Sequence, residues 1–183
     1  MTKEAWAFGS QLKRLLKAQN MAIAGLFAAM YVVLSYFNIR ISPLIEIRFP
    51  FLMLAAAGMF GGPVMAVVVA VLSDIISAVS TGAMFFPGFT FSYSLMGFLF
   101  GLIYYRSRVT PLRAVMGAAV EFVISLTLHT LWLSVMYGTP FPALFMTRLV
   151  KCAAMFFVNA VLLYLVLGAF RRVMQSLQLA DGA

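Results

Sequence analysis

The sequence predicts an all-α integral membrane protein with six transmembrane helices and both termini cytoplasmic. Three observations carry that expectation. Hydrophobic residues fill 64% of the 183 positions and charged residues only 10%, and the mean hydropathy is +1.03, a composition solvated mainly by lipid. No charge occurs between Lys17 and Arg40, Arg48 and Asp74, Asp74 and Arg106, Glu121 and Arg148, or Lys151 and Arg171, and about 20 apolar residues suffice to cross a bilayer as helix. The basic residues fall mostly at the edges of these runs, as loops on one membrane face require. A transmembrane β-barrel would show short alternating segments instead.

Residues 1–18 read as a cytoplasmic, amphipathic N-terminal segment. The first span covers residues 21–37, with Asn20 placed to cap it. No cleavage site of small residues follows promptly and the chain keeps re-entering the membrane, so a removed signal peptide is not expected. Gly61, Gly62 and Pro63 form the strongest breaker cluster and divide the next run into a short second span ending at Phe60 and a third over residues 63–80. Pro63 suits the first turn of the new helix, where its missing N–H costs nothing. The second span is short unless it begins near Leu44. The fourth covers residues 89–105, the fifth 112–137 and the sixth 144–170. The membrane domain is therefore residues 19–172, followed by a cytoplasmic tail over residues 173–183.

Six crossings place Lys3, Lys13, Arg14, Lys17, Arg106, Arg108, Arg113, Arg171 and Arg172 on one side, nine of the 13 basic residues, and the excess of basic residues marks that side as cytoplasmic. Arg40, Arg48, Arg148 and Lys151 lie toward the outer face, where that rule gives no reason for them. The net charge of +8 is split among loops flanking the membrane and forms no stripe interleaved with aromatics, which argues against nucleic-acid binding. The lone Cys152 excludes an intrachain disulfide and lacks partners for a metal site. The chain has no GxxxxGK(S/T), HExxH or GxSxG motif and no second His, so it is not expected to hydrolyse ATP by itself or to carry catalytic residues of those kinds.

Ionisable residues inside a span are costly and usually face a cavity, a partner or a pathway. On the sixth span Arg148, Lys151, Cys152, Met155 and Asn159 recur at helical spacing, which sets two cations and an amide on one face and suits an anion. On the fifth, Glu121, Ser125, His129 and Trp132 share another face, with an indole to stack on a flat ring and an imidazole or hydroxyl to bond its edge. On the third, Asp74 sits beside Ser73 and Ser77, placed to pair with Arg148 or Lys151 or to receive donors from a ligand. Plainer readings stand beside these: snorkelling for the two cations, an aromatic belt for Trp132, a packed interior imidazole for His129, and structural ion pairs for Asp74 and Glu121. The gathering of opposite charges and an aromatic in the outer half of several spans favours a substrate pocket.

Two short segments complete the inventory. Residues 87–92, PGFTFS, read as a rigid turn and a small polar patch at one membrane face. The first span carries Ala24 and Ala28, with Gly25 and Ala29 beside them, a stripe of small residues that lets another helix approach closely in lipid. Its partner is either the chain's own helices or another membrane subunit.

The length, the six spans, the basic lead-in and the Ala24 to Ala28 stripe together resemble the substrate-binding S components of energy-coupling factor (ECF) vitamin transporters. The closer resemblance is to the folate members of that family. It rests on IRFPFLMLAAAGMFGGPVMA (residues 47–66), FFPGFTFSYSLMGFLFGLIYYR (residues 85–106) and LHTLWLSVMYGTPF (residues 128–141), followed by Arg148 and Lys151. These segments are similar to that family's IR(I/F)xF, PGFTLSxxLxGxxxG and NTLWLSLLYG patterns, with His129 where Asn is expected and Phe91 where Leu is usual.

The resemblance implies a subunit in a bacterial cell membrane, not an enzyme, that captures folate or a reduced folate outside. A membrane scaffold subunit and two ATPases would power release inside, ATP being used by those partners and no cofactor held by this chain. Ala24, Gly25, Ala28 and Ala29 would dock on the scaffold. Folate has a flat pterin, an aryl linker and a glutamate tail with two carboxylates. Trp132 and Phe89 are then expected to stack, Thr90, Ser92, His129 and Asn159 to serve ring edges, Arg148 with Lys151 or Arg48 to meet carboxylates, Asp74 to line the pocket, and the Pro87-Gly88 turn to close its mouth. Two alternatives remain at this level: an S component for another vitamin such as riboflavin or biotin, and an intramembrane enzyme acting on a lipid-linked group through Asp74, Glu121 and His129.

Overall fold

The computed structural model of the chain describes residues 8–37, 39–42, 45–82 and 84–180; Lys3 of the lead-in, Leu44 and tail residues 181–183 lie outside them. A short amphipathic helix, α1 (Phe8–Leu15), leads into α2 (Ala18–Tyr36). The first span starts earlier than its expected cap. Lys17 holds the extended N-cap backbone with no side-chain cap bond, and Asn20 already lies in the first turn, its N–H bonded to the Lys17 carbonyl at 2.9 Å.

A short antiparallel hairpin follows, β1 (Ile39–Ser42) and β2 (Ile45–Ile47), pairing Ile39 with Ile47 and Arg40 with Glu46. It is an addition to the all-helical expectation, and its cause is the alternation of branched apolar and polar residues in IRIS and IEI. Because Ile47 still belongs to a strand, the second span cannot reach back to Leu44; its helix starts at Phe51.

That helix, α3 (Phe51–Thr81), contains a corner. Gly62 has φ 83° and ψ −173°, a conformation open to glycine alone at low cost, and Pro63 opens the second arm, as expected of a first-turn proline. Both arms lie along α4 (Pro87–Tyr104) and meet it at the same place. A Cβ built on Gly101 would sit 2.3 Å from Pro63 Cα, and one on Gly58 2.8 Å from the Gly101 nitrogen. From there Phe51 of the first arm lies beside Phe100 and lines a cleft with Tyr93 and Met96. Ala66 of the second arm meets Gly97, and Asp74 meets Thr90. The chain thus reverses at Gly62. Glycines four apart on α4, Gly97 and Gly101, permit this close contact.

The next span is built from α5 (Pro111–Leu126) and α6 (Leu128–Tyr137). Thr127 between them departs from helical ψ, yet its N–H reaches Val123 O and Leu131 N–H reaches Thr127 O, both at 2.9 Å, so the two make one rod. The last helix, α7 (Phe141–Ala180), turns Val150, Phe157, Val161 and Leu165 outward, an apolar face suited to lipid. Four stretches, Ala18–Tyr36, Phe51–Thr81, Pro111–Tyr137 and Phe141–Val173, are long and apolar enough to cross a membrane. The chain is a multi-pass membrane protein.

The bundle has two distinct ends. At one, Gln11 Oε1 of α1 accepts from Val64 N–H at 3.4 Å, a donor that the Gly62 corner leaves without a helical partner, and Tyr105 packs against Gly62. Phe170 of α7 packs on Phe27 there, as does Phe60. At the other end lie the hairpin, the start of α4 and the turn between α6 and α7, with Tyr36 donating to Ser80 O across it at 3.1 Å.

Candidate functional site

A cleft opens toward the hairpin end, with about 740 Å³ of non-atom space once the open solvent at its mouth is counted. Five parts of the chain wall it. Tyr31 comes from α2, Arg48 and Phe51 from the entry to α3, Phe89, Tyr93 and Met96 from α4, Glu121, Ser125, His129 and Leu133 from the α5–α6 rod, and Arg148, Lys151, Met155 and Asn159 from α7. The rod and α7 each supply residues three or four apart, which is the spacing that holds side chains on one helical face.

One wall is aromatic. Tyr31 meets Tyr93 edge-on at 6.2 Å between centroids, Tyr93 lies 5.0 Å from the His129 ring, and His129 lies 5.5 Å from Phe89. The row continues behind the cleft through Phe86 to Trp132. The Arg48 guanidinium donates to the Tyr93 hydroxyl, which ties the chain just past the hairpin to α4.

The opposite wall is charged. Arg148 is 6% exposed and its Nη2 donates to Ser125 O at 3.3 Å. Asn159 Nδ2 donates to Glu121 Oε2 at 2.8 Å, joining α7 to α5 below the cations. Ser125 Oγ and Cys152 Sγ lie 3.8 Å apart between them. Among the described residues His129 Nε2 and Asn159 Oδ1 are buried polar atoms with no hydrogen-bond partner, a costly condition inside a protein that a ligand relieves. The described residues hold no cluster of ligands suited to a metal ion.

Of the residues expected at the site, Arg148, Lys151, His129, Phe89, Asn159 and Arg48 line the cleft. The others stand behind it. Thr90 Oγ1 donates to Asp74 Oδ2 at 2.6 Å, so Asp74 is partnered within the α3–α4 interface and not by Arg148 or Lys151. Ser92 is fully buried, donates to Gly88 O at 3.1 Å and accepts from Trp132 Nε1 at 2.9 Å. Pro87 and Gly88 are the first turn of α4 and not a turn ahead of it; a Cβ at Gly88 would lie 2.5 Å from the Trp132 indole. Tyr31, Phe51, Tyr93, Met96 and Leu133 line the cleft without having been expected there. Tyr93 was within reach of sequence reasoning, since it lies four residues beyond Phe89 on α4.

The small stripe on α2 divides. Ala24 and Ala28 are 4% exposed and belong to the core, whereas Gly25 and Ala29 face outward.

Comparison with known proteins gives consistent relatives. The model of the family described as "ECF transporter, substrate-specific component" matches residues 19–167. The chain is 32% identical over 160 residues to the folate transporter FolT of Clostridium novyi (strain NT), covering 86% of this chain and 91% of that protein. It is 26% identical over 175 residues to FolT of Leuconostoc mesenteroides subsp. mesenteroides, covering 91% of each. A crystal structure of FolT bound with folic acid superposes with a TM-score of 0.75 at 30% identity, covering 80% of this chain and 91% of that one.

Proposed function

This chain belongs to the family of substrate-specific components of ECF transporters, which are transport subunits and not enzymes, and from that premise we propose that it captures folate or a reduced folate and delivers it across the cell membrane. The observation that carries the proposal is the cleft itself, whose lining combines the aromatic rings of Tyr31, Phe89 and Tyr93 with three cations, Arg48, Arg148 and Lys151. That pairing matches a molecule with a flat ring at one end and two carboxylates at the other. The likeness to a FolT structure holding folic acid supports it.

In this reading Phe89, His129 and Tyr93 flank the aromatic part of folate, and His129 Nε2 and Asn159 Oδ1 bond its polar edges. Arg148, Lys151 and Arg48 take the glutamate tail; a guanidinium binds a carboxylate through two parallel N–H donors. Trp132, Ser92 and Gly88 act one layer back by fixing the start of α4, and Asp74 with Thr90 holds α4 to α3.

The hairpin end faces outward and the α1 end faces the cytoplasm, with six crossings if the two arms of α3 count separately. Lys13, Lys17, Arg106, Arg108, Arg113, Arg171 and Arg172 support that orientation. The first arm, residues 51–61, is about 16 Å long at 1.5 Å per residue, against a hydrocarbon core of about 30 Å. Residues 51–59 are buried on every side, so protein shields the arm, and the non-helical stretch 48–50 before it lies in the cleft wall, where irregular backbone is tolerated at membrane depth. A scaffold subunit docks on the exposed small residues of α2, Gly25 and Ala29, and two ATPases supply the energy through it.

The test compares folic acid with pteroic acid, which keeps the pterin and aryl linker but lacks glutamate. The purified chain is expected to bind folic acid more tightly, and Arg148→Ala to weaken folic acid by about 10- to 100-fold, the worth of hydrogen bonds to a charged group, while changing pteroic acid far less. Equal weakening of both ligands would remove the tail from the cation wall. A preference for riboflavin or biotin over folic acid would sink the substrate assignment.

A further inference from the structure

We propose that α1 is an interfacial anchor for anionic phospholipid, which seats Lys13, Lys17 and Arg106 among the headgroup phosphates and Leu12 and Leu16 at the acyl boundary. The helix is amphipathic, and two contacts set which way it faces. Gln11 is 3% exposed, and its Oε1 accepts from Val64 N–H at the Gly62 corner. Leu15, four residues on, packs partly buried against the core. Residues four apart share a helical face, so Gln11 and Leu15 turn one face of α1 into the bundle. The neighbouring face is left outside: Leu12 is 45% and Leu16 66% exposed, with Leu16 N–H still bonded to Leu12 O at 3.1 Å. Lys13 and Lys17 are exposed beside them.

The connection between α4 and α5 brings a further cation next to the same corner. Tyr105 packs on Gly62 as Gln11 does. Arg106, exposed and held at φ 52°, sets its guanidinium 5.5 Å from the Tyr105 ring centroid. The chain has no acidic residue between Glu4 and Glu46 or between Asp74 and Glu121, so neither α1 nor this connection carries an anion of its own. Exposed cations by themselves suit any acidic surface. Cations interleaved with exposed leucines on one short helix suit negative charge lying directly above hydrocarbon, which is what an anionic phospholipid presents. Continuity favours lipid over a protein partner. α2 begins at Ala18 and turns Met21 outward, 55% exposed, on the first stretch long and apolar enough to cross the membrane. α1 therefore meets the bilayer where that span leaves it.

The test is hydrogen exchange of the α1 amides in nanodiscs of phosphatidylcholine alone and of phosphatidylcholine mixed with phosphatidylglycerol. Each basic residue near an anionic surface is worth about fivefold in an equilibrium. Phosphatidylglycerol is thus expected to slow exchange across α1 by about 10- to 30-fold in the wild type and by less than about threefold in Lys13→Gln/Lys17→Gln. The α5–α6 rod, exchanging equally in both lipids, is the control for global stability. Raised salt screens exposed charge and is expected to erase the difference. Leu16→Ser keeps both lysines and is expected to speed α1 exchange in either lipid, because it removes the apolar half of the anchor. Equal exchange in the two lipids for the wild type, or a phosphatidylglycerol effect kept in full by the double variant, would overturn the proposal. So would protection of α1 that appears only when other membrane or ATPase subunits are added, which would assign this face to a protein partner. Should the double variant fail to fold, Lys17→Gln and Arg106→Gln take its place singly, each expected to lose about fivefold of the effect.

Discussion

At the scale of single residues, helical spacing decides which side chains share the walls of the cleft. Glu121, Ser125 and His129 on the rod, and Arg148, Lys151, Met155 and Asn159 on α7, were legible because helical spacing assigns them to common faces, and those faces meet in the cleft. Asp74 was not legible, because its partner, Thr90, lies 16 residues away on another helix and only the tertiary fold brings the two together. Thr90→Val should therefore lower stability by about 1–3 kcal/mol, the cost of leaving a buried hydrogen-bonding group unpaired, and leave folic acid affinity close to wild type; thermal unfolding in detergent and a binding titration read the two effects separately. A large loss of affinity with no loss of stability would return Thr90 to the site. Trp132 was expected to stack on the ligand but instead donates to Ser92 and covers Gly88. Gly88→Val must push the indole aside and disturb the row from Phe86 to Phe89, with an expected loss of folic acid affinity of roughly tenfold, comparable to the worth of an aromatic contact. Unchanged affinity would detach the start of α4 from the cleft.

At the scale of elements, breakers and charge-free runs gave the helices, and local geometry gave what they lacked. Gly61, Gly62 and Pro63 announce a break, but only the left-handed φ of Gly62 and the common contact of Gly58 and Pro63 with Gly101 turn that break into a reversal. The hairpin went unread because seven strand residues between two long apolar helices are a weak signal, even though they alternate as strands do. The GxxxG of α4 has a packing role inside the molecule: it lets both arms of α3 approach its backbone. Gly101→Ala sets a Cβ 2.3 Å from Pro63 Cα, where backbone and not a flexible side chain must yield. An overpacking cost of about 1–3 kcal/mol is expected, read as a lower thermal midpoint. An unshifted midpoint would mean that the corner is looser than this packing implies.

At the scale of the whole molecule, the cleft and the proposed docking face occupy different surfaces, so mutation is expected to separate capture from coupling. Ala24 and Ala28 pack inside the bundle, whereas Gly25 and Ala29 look outward; sequence spacing alone could not tell these two faces of one small-residue run apart, because the hydrophobicity of α2 is nearly uniform around its axis. Ala29→Trp is expected to leave folic acid binding by the isolated chain intact and to abolish uptake in cells that supply the scaffold and ATPases, since bulk on a small-residue face blocks helix approach. Ala24→Trp is expected to destabilise the chain itself. Uptake surviving in Ala29→Trp would move the docking face elsewhere. The most direct measurement of the central claim is calorimetric titration of the purified chain, alone in detergent, with folic acid, and in parallel with riboflavin, biotin and thiamine. Saturable binding of folic acid at one site per chain, with no competition from the other vitamins, is the predicted result; no heat with folic acid, or tighter binding of another vitamin, would contradict it.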